Sequence, residues 1–310
     1  MAKNFKGSLT ATQIVTIVIL VVSFILVIDV LFNVLDEGLA DREICHTSVV
    51  SRMTLPDTMI INLKELPKLN CKTKNICITD EFMGEGDCED DFKTEEYWTM
   101  RITKDPDEKE KDINRLIARE LVDCWNMMGK GEDQIFTRSF STSKACSICS
   151  RIAFDEDLKK ELKNIKGLAD YLKSYNVPNH NETYLTYLTK KRTIEGYDRN
   201  KDSFTTDQKA IVFLEVDSSL WEEWVTEVIQ SQGGGIIGAK TGAMIGAMIP
   251  LPGTAPALGI LGYIGGTATG WFIDSDTNKK DREYRTGWDF IDYSTRNLNE
   301  LKCTSFENLA

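Results

Sequence analysis

Cys146 and Cys149 bracket two residues in Cys146-Ser147-Ile148-Cys149, a spacing at which two thiols can share a metal ion or pass a disulfide between them. Zinc would call for a second closely spaced pair. The other cysteines, Cys45, Cys71, Cys77, Cys88, Cys124 and Cys303, form none, and His46 and His180 are the only histidines. A redox pair would open a helix after a buried strand. Ser150-Arg151-Ile152-Ala153-Phe154 follows instead and reads as extended chain. Structural disulfides therefore lead, up to four of them, with zinc and an extracytoplasmic thiol oxidoreductase as alternatives. The sequence does not choose a connectivity.

Other polar constellations are weaker. The acidic runs at 85–91 and 105–112, and the alternating oxygens of Asp198, Asn200 and Asp202, lack the spacing, the glycine and the distal glutamate of a calcium loop. Gly238-Ala239-Lys240-Thr241 lacks the full phosphate-loop pattern. Neither histidine has a partner that would orient it for catalysis; His46 reads as a strand or turn residue. No catalytic, cofactor-binding or metal-binding residue is assigned, and no cofactor is expected. Asn181-Glu182-Thr183 is a glycosylation sequon in a loop.

The elements that must position these residues form an α+β body. Short strands are predicted within 47–64 and 71–79, over 97–103 and over 209–216. Ile113, Leu116, Ile117, Leu121, Cys124, Trp125 and Met128 make one apolar stripe, which predicts an amphipathic helix over 109–128 stopping at Gly129-Lys130-Gly131. A second helix, capped by Asp155, is predicted to reach about Tyr175, and a third covers 218–230.

Two segments point to a membrane. From 233 to 272 the only charged side chain is Lys240, with glycines at Gly234, Gly238, Gly242 and Gly246, then Gly262, Gly266 and Gly270. A spacing of four places each set on one helix face, so two helices can approach backbone to backbone. Pro250, Pro252, Gly253 and Pro256 break the helix between them. The pattern predicts a glycine-zipper helical hairpin, either lipid-embedded or buried in the body. Lys240 lies off the zipper face, where it snorkels or lines a hydrated path. The N-terminus holds 22 uncharged residues from Gly7 to Ile28, long enough for a transmembrane helix. Lys3 and Lys6 precede it and Asp29, Asp36, Glu37 and Asp41 follow, which places the bulk of the chain outside the cell membrane on a single-pass anchor. A cleaved secretory signal ending near Ala40 is the alternative.

The opening Lys6-Gly7-Ser8-Leu9-Thr10-Ala11-Thr12-Gln13-Ile14-Val15 resembles the class III signal of archaeal prepilins. That resemblance implies cleavage after Gly7, with the apolar helix left on the mature chain as an anchor or filament contact. It covers about thirty residues, and no glutamate stands near the helix start. Cys124-Trp125 with Gly129 and Gly131, followed by the Cys146–Ile152 run, is similar to uncharacterised membrane proteins of archaea, which implies no particular activity.

These readings divide the chain into a signal-anchor helix at 1–35, a disulfide-braced extracytoplasmic α+β domain at 36–230, the hairpin at 231–273, and a segment at 274–310 that returns to the ectodomain. A net charge of −11 argues against nucleic acid, whose phosphates need a basic face. Hydrophobic residues at 42% suffice for a core. The leading expectation is a membrane-anchored interaction or structural protein, not an enzyme. Its partners would be the lipid bilayer and either a second copy or another membrane or surface protein. A membrane-perturbing or pore-forming module and a minor pilin-like subunit are alternatives.

Overall fold

The computed structural model describes residues 16–24, 37–54, 69–80, 87–131, 135–136, 144–189, 202–217, 219–220 and 284–307. After the helical stretch 16–24 come α1 (Glu37–Met53), β1 (Lys74–Thr79), α2 (Glu89–Phe92), β2 (Trp98–Arg101), α3 (Pro106–Met127) and β3 (Lys144–Phe154). They are followed by α4 (Glu156–Glu161), β4 (Asn164–Lys166), α5 (Leu168–Ser174), α6 (Tyr184–Thr189), β5 (Ser203–Thr205) and β6 (Lys209–Asp217). The last described elements are β7 (Tyr284–Asp292), α7 (Thr295–Glu300) and β8 (Ser305–Glu307). The central sheet runs β2-β1-β3-β6-β7, and β8 lies beside the first residues of β3. β4 and β5 pair separately.

This mixed α/β sheet corrects the α+β expectation. β1 is parallel to both β2 and β3, while β3-β6 and β6-β7 are antiparallel. Parallel neighbours need crossover connections; α2 joins β1 to β2 and α3 joins β2 to β3, so helices and strands interleave.

The transmembrane helix is also corrected: no described helix is long and apolar enough to cross a membrane. The longest described helix, α3, is amphipathic and charged on its outer face. Both glycine sets and Lys240 lie outside the described residues, as does nearly all of the 218–230 helix. Two local expectations fail as well. Residues 47–53 are helical, and the 155–175 helix breaks at Leu162, where Asn164–Lys166 pairs with a strand some forty residues on.

β6 is buried along almost its whole length because both faces of the sheet are covered, which turns the usual alternation into a continuous apolar run. Ile211 and Phe213 face the larger core with Ile76, Ile78, Ile152, Trp288 and Phe290. Ala210, Val212, Leu214 and Val216 face a smaller cluster with Cys146, Ile291 and Leu301. α3 roofs the larger core. Its start is set by Asp105, whose carboxylate accepts from the Asp107 N–H, with Pro106 in the first turn. Its end is set by Gly129-Lys130-Gly131, all at positive φ. A Cβ on Gly131 would fall on the Thr286 hydroxyl and 2.8 Å from the Trp125 ring, so this turn meets β7 only without a side chain.

Asp217 pairs directly with Tyr284. The chain therefore leaves and re-enters the sheet on adjacent strands at one end, and residues 218–283, which carry both glycine sets, are an excursion between two hairpin-paired strands.

Candidate functional site

Four disulfides brace the body, and β3 carries one end of two of them. In a strand, residues three apart point to opposite faces, so the sulfurs of Cys146 and Cys149 diverge. Cys149 pairs with Cys124 of α3 on the larger core, and Cys146 pairs with Cys303 on the other face. A register shift between Ile148 and Ser150 marks a bulge at Cys149. Cys45–Cys71 ties α1 to the chain entering β1, and Cys77–Cys88 ties β1 to the start of α2. No cysteine is free. Cys146 and Cys149, the closest pair in sequence, never meet.

Of the residues in these runs, Asp91, Asp112 and Asp202 serve structure, while Glu85, Asp198 and Asn200 lie outside the described residues. Asp91 receives the Lys159 ammonium at 2.8 Å, and Asp112 accepts from the Thr103 N–H. Asp202 accepts from the Ala169 and Asp170 N–H groups and caps α5. Among the described residues, no group of three or more His, Cys, Asp and Glu is placed to hold a metal. His46 lies in α1, which corrects the strand or turn reading, and the His180 ring rests 4.8 Å from that of Tyr187.

Charged groups that sequence reasoning missed sit inside the body. Lys109 is buried, with Asp80 at 2.7 Å and Glu161 also bound to its Nζ. Burial pulls its pKa down, but these carboxylates outweigh it and hold the group above the usual lysine value. Lys209 is fully buried against Asp292 and Thr205. Here burial dominates and Asp292 offsets only part of it, so its pKa is lowered. Glu215 accepts from the backbone N–H groups of Ile135 and Phe136 at 2.8 and 3.1 Å. Glu120 joins Arg42 and Lys74, and beside it burial raises Asp123 against the pull of Arg42. Arg151 lies between the Phe92 and Tyr293 rings, 5.3 and 4.3 Å from their centroids. The one visible signal was an acid or lysine within an apolar strand, as in Lys209-Ala210-Ile211-Val212-Phe213-Leu214-Glu215.

No protein-family model, curated protein or solved structure matches this chain.

Outside the body, Ile17, Val18, Ile19, Leu20, Val21, Val22 and Phe24 are all exposed, Leu20 and Phe24 to 64% and 65%. Among the described residues the arrangement offers a crosslinked body in which Lys109, Lys209, Glu120 and Glu215 meet opposite charges or N–H donors, together with the uncovered apolar stretch 16–24.

Proposed function

We propose that this chain is an exported, membrane-associated interaction protein, whose disulfide-braced body carries apolar segments that meet lipid. The observation that carries the reading is the closure of all eight cysteines into four bonds, because such a framework persists on the oxidising side of a membrane. The exposed stretch 16–24 supports lipid contact, since contiguous apolar surface of this kind marks membrane or protein association. The prepilin-like opening agrees with export. Buried ions held in structural pairs favour recognition over catalysis.

Vesicle flotation tests the reading. The full chain should float with liposomes, and V18D/L20D should weaken flotation. Replacing residues 218–283 by an Asn-Gly turn keeps the body, because Asp217 and Tyr284 already pair as hairpin neighbours; its flotation measures the share of the glycine-rich excursion. A full chain that stays at the bottom of the gradient refutes membrane association. Free thiols in protein isolated from its own cells refute export.

A further inference from the structure

We propose that Asn181 is the attachment site of an N-linked glycan. The inference rests on the export part of the proposed function and extends it to a specific modification.

Asn181-Glu182-Thr183 is the only Asn-x-Ser/Thr triplet in the sequence, and the fold presents it at the tip of a fastened loop. Asn176 and Thr183 form a bridge. The Val177 N–H donates to the Glu182 carbonyl, and the Tyr184 N–H to the Tyr175 carbonyl, both at 3.0 Å. Buried Val177 roots the loop in the core, while residues 178–182 are exposed. Asn179 turns the chain at φ 63. The exposed Asn181 amide bonds to no described residue, so a substituent on Nδ2 breaks no hydrogen bond among them.

Transfer from a lipid-linked glycosyl phosphate balances without a redox partner. The Asn181 Nδ2–C1 bond forms, the bond from C1 to the phosphate oxygen breaks, the lipid phosphate leaves, and the amide proton passes to a base of the transferase. Thr183 has a second duty in the folded chain, where its hydroxyl accepts from the Thr186 N–H at 3.2 Å and pairs with the Thr186 hydroxyl. It thereby caps the first turn of α6. A transferase that reads this hydroxyl must act before the cap closes, during or soon after export.

The full chain isolated from the cells that make it, alkylated without reductant and digested with trypsin, is the sample for mass analysis. The peptide Ser174–Lys190 should carry a sugar increment. The increment should vanish in N181Q and in T183V and persist in T183S, which keeps both hydroxyl and cap. N181Q should retain four disulfides, showing that loss of sugar is not loss of fold. An unmodified peptide from a fully oxidised chain overturns the glycan and leaves export standing. An unmodified peptide with free thiols overturns both. An increment surviving in N181Q overturns the assignment to this residue.

Discussion

On one face of the central sheet, Ile76, Ile78, Phe213, Trp288 and Phe290 join residues of α1, α3, α5 and α6 in a single continuous core. On the other face the apolar surface is divided in two. One small group gathers Cys146, Val212, Leu214 and Ile291 under Leu301, and another gathers Cys77, Cys88, Phe92 and Ala153. Each small group contains at least one half of its own crosslink, Cys146–Cys303 or Cys77–Cys88. Where a whole layer of helices covers the sheet, burial supplies the stability and Cys124–Cys149 adds to it. Where the described cover is a single short helix, each small group carries a covalent bond of its own, as small disulfide-dense domains do.

The sharpest way to break this comparison is to empty one face and uncouple the other. W125A removes a ring that is 2% exposed and lies 6.0 Å from the Phe213 ring; denaturant unfolding should show a loss of roughly 3–5 kcal/mol. Removing Cys146–Cys303 with C146A/C303A should cost about 2–5 kcal/mol, because the bond closes a loop of sequence separation 157. Hydrogen exchange should then rise first around α7 and β8 while α3 stays protected. Equal loosening of α3 would show that the faces are not energetically separate.

Smaller changes sharpen the picture. R151M keeps much of the side-chain bulk but loses the charge between Phe92 and Tyr293 and the ion pair with Glu95. About 1–2 kcal/mol should be lost, with α2 loosened and the larger core untouched. The smallest effect concerns alkaline pH. Lys109, with a folded-state pKa above its ordinary 10.5, contributes stability that is present below that value and lost as pH rises through the raised one. K109M should flatten this alkaline decline. Lys209 runs in the opposite sense, since its lowered pKa means that stability grows as pH rises from that value towards the ordinary lysine range. K209M should abolish that rise. A melting-temperature scan from neutral pH to about pH 11 reads both slopes, and unchanged slopes would show that neither ammonium is held as described.

The α3 stripe, β1, β2 and β6 were legible because each carries its own periodicity and boundary residues. Asp105-Pro106 and Gly129-Lys130-Gly131 bound α3 without help from distant chain. The helix after Asp155 was misread because its apolar spacing continues past Glu161, while pairing of Ile165 with Phe204 pulls that stretch into a strand. The mixed sheet was misread for a related reason: periodicity identifies a strand but not the direction of its neighbour. Lys109 was equally illegible, since Asp80 and Glu161 lie far from it along the chain and only the closed fold sets them around its ammonium.

The sequence by itself favoured structural disulfides over a redox pair, because Ser150 to Phe154 reads as extended chain where a redox pair would open a helix. In the folded strand Cys149 lies in the larger core and Cys146 in the cluster on the other face, so the two side chains diverge. Which sulfurs they meet was decided only by the tertiary structure. Cys124 arrives on α3, and Cys303 arrives from the chain after α7, once β7 has paired with β6. A disulfide needs its two Cα atoms within about 7 Å, and for residues so far apart in sequence only the folding of the whole sheet brings them there.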